Sequence, residues 1–261
     1  WLDELPVKDL MEHGVIPKQK LLEKNKPILV ELCLRFFGVA SPDDWRNCYE
    51  GKQFSFRKSK VEQSNVGAIS AWLRLGEQQA ECTECPTYNK ISFEKALREI
   101  RNFTGQQPSE FVPKIRSLLL DAGVMFILVP AIPRAHVSGV ARWLGSTKAL
   151  IQLSLYGKTN DKFWFTFFHE AAHILLHSGT KEEKKSIFLD DQNVSLSDSL
   201  EESEANSWAR DWLIPLNSAH ELFNLKSKVD VEIFATKVNL HPGIVVGRLQ
   251  HEGFIQPSWM N

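Results

Sequence analysis

The chain is organised around residues 165–177, which read FTFFHEAAHILLH. The apolar residues recur at helical spacing, so the segment is predicted to be a largely buried helix. Residues four apart lie one turn above each other on a helix, and His169 and His173 can therefore direct both imidazoles at one metal ion. Glu170 lies close enough to reach a water molecule at that ion. This His-Glu-x-x-His pattern is typical of zinc hydrolases.

The pattern is too rare to be dismissed as coincidence. With 8 His and 32 acidic residues in 261 positions, chance gives roughly 0.03 matches per chain. The alternative interpretation is a surface helix that carries two histidines and a glutamate. The apolar neighbours argue against it, because buried polar side chains need partners and a metal ion supplies one. The sequence therefore favours a metal site.

Length and composition indicate a globular protein with no electrostatic preference for nucleic acid or membranes. The 261 residues suffice for two domains, or for one domain with a helical extension. Hydrophobic residues make up 43%, charged residues 24%, and the net charge is −1. We find no apolar run near the ~20 residues of a spanning helix and no signal peptide. Because the chain begins with Trp1 rather than Met, we expect that an N-terminal part is missing.

The four cysteines lie in the first third of the chain, far in sequence from the His-Glu-x-x-His helix. A disulfide scaffold does not suit a chain of this size, so we expect reduced thiols and a cytoplasmic location. Cys82 and Cys85 form a single C-x-x-C pair. The pair could be half a metal site or a redox pair, but a turn with two incidental thiols is favoured.

Hydrophobic periodicity predicts an α+β fold that is mainly helical. Residues before 111 read as successive helices. A β-type run at 124–129 is followed by two strands, 137–144 and 149–154, which a short Gly-containing turn joins into a hairpin. We therefore predict a small β-sheet packed on a zincin-like helix, with helical N-terminal and C-terminal parts.

Three domains are predicted on this basis: a helical N-terminal or linker domain (1–110), a zinc metallopeptidase-like domain (111–216) and a small helical C-terminal cap (217–261). The polar stretch 178–199 is predicted to be a loop. The last helices have the outline of a helix-turn-helix. A packing cap is favoured, because the near-neutral charge gives DNA binding little support.

A third metal ligand is expected on the helix predicted for 200–214, because catalytic zinc sites use three protein ligands. Glu204 shares a helix face with two tryptophans, so its carboxylate is expected to point inward, where it would be costly without a partner. Glu201, one turn earlier, is the fallback. Glu202 is assigned to a capping box at the helix start.

Other polar residues are predicted to support the site. Asp211 could hold a ligand histidine by its free N–H. His177 lies one turn beyond His173 and too far along the axis to share the ion comfortably, so it either supports a ligand or lies at the surface. Tyr156, His177 and His220 are candidates for stabilising an oxyanion.

Two motifs in this order, HEAAHILLH at 169–177 and ESEANxxAxxxLIP at 202–215, resemble the ImmA/IrrE family of metallopeptidases. The resemblance covers roughly residues 110–215. It implies a gluzincin-like site with zinc ligands at His169, His173 and Glu204, and with Glu170 as the catalytic acid–base.

The resemblance also implies partners. Longer family members carry an N-terminal helix-turn-helix of the phage-repressor type and act as transcriptional regulators or antitoxins. We therefore expect a repressor or toxin as protein substrate or partner, DNA contact only through a missing N-terminal domain, no membrane contact, and room for a homodimer. The rival hypothesis is a regulatory or sensor module in which zinc is not catalytic and the chain acts by binding a protein or ligand.

Overall fold

A computed structural model describes residues 1–49, 65–154, 159–177, 188–191, 200–256 and 258–259. The strands are β1 (Val124–Val129), β2 (Val137–Trp143), β3 (Ala149–Ser154) and β4 (Phe188–Asp191). The α-helices are α1 (Val7–Glu12), α2 (Lys26–Phe37), α3 (Pro42–Tyr49), α4 (Val66–Glu81), α5 (Lys90–Arg101), α6 (Pro108–Asp121), α7 (Asn160–Leu176), α8 (Leu200–Leu213), α9 (Leu216–Ala219), α10 (Lys228–Lys237) and α11 (Pro242–His251). Within these ranges, no helix has the length and apolar character needed to cross a membrane.

The strands form one mixed sheet in the order β1-β3-β2-β4. Strand β1 is parallel to β3, whereas β2 is antiparallel to both β3 and β4. The pairing of β2 with β3 confirms the predicted hairpin. Strand β4 lies inside the stretch 178–199 that the sequence predicts to be a loop; the rest of that stretch is outside the described residues. An edge strand pairs through its backbone, which the side-chain pattern does not report.

Helices cover both faces of the sheet. Because side chains alternate along a strand, β1 directs Val124 and Phe126 to one face and Met125 and Ile127 to the other. The first face belongs to a core that it shares with α5, α6, α7, α8, α10 and α11, and the second face belongs to a core that it shares with α1, α2, α3 and α4. Burial on both faces explains why β1 reads as an uninterrupted apolar run. The mainly helical α+β fold with a small sheet is confirmed.

Helix α5 lies within the predicted N-terminal domain 1–110, yet it packs in the core that contains α7. Its Phe93, Leu97 and Ile100 are fully buried there. The helices before it, α1 to α4, form a separate core on the opposite face. The domain boundaries stay a prediction, because both layers share the same sheet.

Helix α7 is largely buried among its neighbours. It contacts β2, β3, α8 and α11, and its aromatic residues Trp164, Phe167 and Phe168 are fully buried. These side chains fix the rotation of α7 about its axis, because a large apolar surface can be buried in only one orientation. That rotation places the polar residues of the helix against α8 and the sheet.

Candidate metal centre

Three side chains converge between α7 and the first turn of α8: His169, His173 and Glu202. The Nε2 atoms of the two histidines are 3.0 Å apart. Glu202 Oε2 lies 3.2 Å from His169 Nε2, and Glu202 Oε1 lies 3.4 Å from His173 Nε2. Tetrahedral zinc with bonds of ~2.0–2.1 Å holds its ligand atoms about 3.3 Å apart. The donor atoms of the three side chains are therefore close enough together for one metal ion to bind all three.

The electrostatic environment favours the metal-binding protonation states of His173 and Glu202. His169 and His173 are 2% and 1% exposed, and the Glu202 side chain is 18% exposed. Burial lowers the pKa of His173 to about 4, although the hydrogen bond with Glu202 opposes the shift. Burial by itself would raise the pKa of Glu202, but hydrogen bonds with His169 and His173 outweigh it and hold that pKa well below its usual range. Neutral imidazoles and an ionised carboxylate are the forms that bind a metal.

The structure brings Glu202, in place of the predicted Glu204, to His169 and His173. The Glu204 side chain is 62% exposed, and its Oε2 lies 3.1 Å from His177 Nε2, not at the two ligand histidines. Residues two apart on a helix point roughly 200° apart, so only one of the two glutamates can face the centre. The tryptophan face misled the prediction, because Trp208 and Trp212 stack on each other with centroids 4.5 Å apart and are only partly buried.

A different signal in the sequence could have found Glu202. Ala205 and Ala209, three and seven residues further on, share its helix face and are fully buried. Small side chains let two helices approach closely, so this alanine face is the one that packs against α7, which contacts α8. The capping role predicted for Glu202 involves Ser199, which lies outside the described residues.

Glu170, the predicted acid–base, is fully buried against the sheet. Gly139 in β2 makes room for it, because a Cβ at that position would lie 2.6 Å from Glu170 Oε1 and 2.8 Å from Thr166 Cγ2. The pairing of β2 with β4 is irregular between Val137 and Gly139. Irregularities of this kind are frequent beside active sites, where they redirect the strand.

A line of polar contacts continues behind His173. Its Nδ1 lies 3.1 Å from Nδ1 of His177, and His177 Nε2 lies 3.1 Å from Glu204 Oε2. His177 is 8% exposed, so the surface alternative from the sequence does not hold, and the supporting role stays a prediction.

Among the described residues, the other predicted site residues are not brought to the centre. In the described part of the chain, neither Glu201 nor Asp211 belongs to the three-ligand group or bonds to a ligand histidine. His220 is exposed after α9, and Tyr156 lies outside the described residues. Cys82 is exposed and Cys85 buried; among the described residues, the pair joins no group of three metal-binding side chains.

No protein-family model matches the chain, and no curated protein does. The resemblance to the ImmA/IrrE family therefore stays a prediction that rests on the two motifs.

Proposed function

We propose that this chain is a zinc-dependent metallopeptidase-like protein that binds the ion through His169, His173 and Glu202. The observation that carries the proposal is the convergence of two buried imidazoles and one ionised carboxylate on one point. Imidazole with carboxylate is a donor set that suits zinc. Three protein ligands leave a fourth position for water or substrate, as hydrolysis requires.

Zinc bound there would act as a Lewis acid towards a peptide carbonyl and would lower the pKa of water to about 7. The chain contributes binding and proton transfer. His169 and His173 donate Nε2 lone pairs, and Glu202 supplies negative charge. Glu170, one residue from a ligand and held between α7 and β2, takes the proton from the attacking water and passes it to the leaving amine. Its burial in the low-dielectric interior strengthens these interactions.

The substrate class we propose is a regulatory protein, such as a repressor or a toxin, in a cytoplasmic transcriptional or toxin–antitoxin type system. The support is the order and spacing of the two motifs around the centre, together with the ligand positions on α7 and α8.

The test replaces Glu170 with Gln, which keeps the size of the side chain and removes its basic carboxylate. We expect zinc content equal to that of the parent chain and cleavage reduced by about 10²–10⁴-fold. Cleavage is measured on proteins encoded next to this chain, co-expressed with it. The matched control, Glu99→Gln, alters an exposed glutamate on α5. Undiminished cleavage with full zinc content would remove Glu170 from the mechanism.

A second candidate function is a zinc-containing regulatory module that binds a partner without cutting it. The enclosure of the ligands favours this alternative, because the two histidines are almost fully buried. A partner that is captured equally by the parent chain and by Glu170→Gln, and cleaved by neither, would support it over hydrolysis.

A further inference from the structure

We infer that His177 and Glu204 are positioning residues that hold the ligand His173 from behind; the inference rests on the proposed metal site. The Nε2 atom of His173 faces His169 and Glu202, while its Nδ1 lies 3.1 Å from His177 Nδ1. His177 Nε2 in turn lies 3.1 Å from Glu204 Oε2. The three side chains form a continuous line from the buried centre to a 62% exposed carboxylate.

The two ends of this line fix the direction of its hydrogen bonds. An imidazole that offers Nε2 to a metal carries its proton on Nδ1, and this N–H needs an acceptor. Nδ1 of His177 lies within reach, 3.1 Å away. His177 therefore carries its own proton on Nε2, and this N–H donates to the carboxylate oxygen of Glu204. Glu204 selects the tautomer of His177, and His177 selects the metal-binding tautomer of His173.

The side chain of His177 makes more polar contacts than a role in packing alone would require. His177 follows the last turn of α7, and its backbone N–H donates to the carbonyl of His173. That backbone bond would hold the chain in place with any side chain at position 177. The side chain nevertheless has both ring nitrogens within hydrogen-bond distance of a partner. Supporting contacts of this type raise the metal affinity of a site and fix the ring orientation of its ligands.

The first test measures Zn²⁺ affinity by competition with a chromophoric chelator in the full chain. His177→Leu removes both contacts and is expected to weaken binding by about 10–100-fold. His177→Asn keeps an acceptor near the Nδ1 position and should recover most of this loss. Glu204→Gln, a weaker acceptor, should weaken binding by up to about tenfold. The control Glu201→Gln removes a charge from the same turn of α8 and should bind like the parent.

The second test reads the tautomers by ¹⁵N NMR of the zinc-loaded chain. We expect the His173 proton on Nδ1 and the His177 proton on Nε2, with faster exchange of the His177 proton in Glu204→Gln. A His177 proton on Nδ1 would overturn this inference but not the proposed metal site. The same holds if His177→Leu and Glu204→Gln bind zinc as tightly as the parent. If His177→Leu does not fold, the variant Glu204→Gln, which changes an exposed side chain, provides the test instead. A parent chain that binds no zinc would instead contradict the proposed metal site, and this inference would fail with it.

Discussion

Glu202 reaches the ligand histidines because of the residues beside it on α8. Ala205 and Ala209 are fully buried on the same face, so α8 can lie close enough to α7 for a glutamate side chain to span the gap. Burial disfavours the charged form of His173 and lowers its pKa to about 4. Hydrogen bonds with His169 and His173 favour the charged form of the Glu202 carboxylate.

The metal-free chain is expected to lose stability as the pH falls from about 6.5 to about 4. His173 has an unperturbed pKa of 6.5, and burial lowers it to about 4 in the folded chain. The unfolded chain therefore binds the proton first, so the stability is fully present above pH 6.5 and is lost as the pH falls through the folded pKa. The loss should be on the order of 3 kcal/mol, measured by urea denaturation at a series of pH values.

The control for this pH dependence is His173→Gln, which removes the titrating imidazole and keeps a polar side chain. Its stability should vary less between pH 6.5 and 4 than that of the parent chain. Equal pH dependence in the two chains would show that His173 is not the group responsible.

At the scale of elements, β2 and α7 approach each other closely at Gly139. Replacing Gly139 with Ala would place a Cβ within 3.0 Å of Glu170, Leu153 and Thr166. We expect a loss of about 1–3 kcal/mol in the free energy of unfolding, together with displacement of Glu170 and reduced hydrolysis. Zinc affinity should stay near that of the parent, because the ligands lie elsewhere on α7 and on α8.

Gly105→Ala is the matched control, since a Cβ there meets nothing within 4 Å. It should leave stability and hydrolysis near the parent values. Gly139→Ala with full stability and full hydrolysis would mean that the sheet does not position Glu170.

The same scale shows what the sequence could and could not predict. Helix α7 and the β2–β3 hairpin follow from periodicity and turn residues, which act locally. The choice between Glu202 and Glu204 depends on the rotation of α8 about its axis, which packing against α7 decides. The tryptophans of α8 predicted one rotation of this helix, whereas its buried alanines impose another. The tryptophans do not decide the rotation because they stack on each other and are only partly buried. Strand β4 was missed because edge pairing leaves no apolar pattern.

At the scale of the whole molecule, the sheet lies between the N-terminal helices α1 to α4 and the helical layer that contains α7. Arg142 in β2 is 5% exposed and pairs with Glu77 of α4 at 2.6 Å. Gln152 in β3 donates to the carbonyl of Trp72 in α4 at 2.7 Å. Polar contacts of this kind are costly to break when buried. The N-terminal helices thus support the sheet whose other face carries α7 and, through it, the candidate metal centre.

The most direct measurement is a zinc titration of the parent chain and of Glu202→Ala, again by chelator competition, with Glu201→Ala as the matched control. Because the proposed ligands lie on α7 and α8, we expect one zinc ion to bind per parent chain and per Glu201→Ala chain. Glu202→Ala should bind zinc more than 100-fold more weakly, beyond the ~10–100-fold effect of a residue that only supports a ligand. A parent chain that binds no zinc would contradict the proposed metal site. A Glu202→Ala chain that binds zinc as tightly as the parent would contradict the role of Glu202 as a ligand.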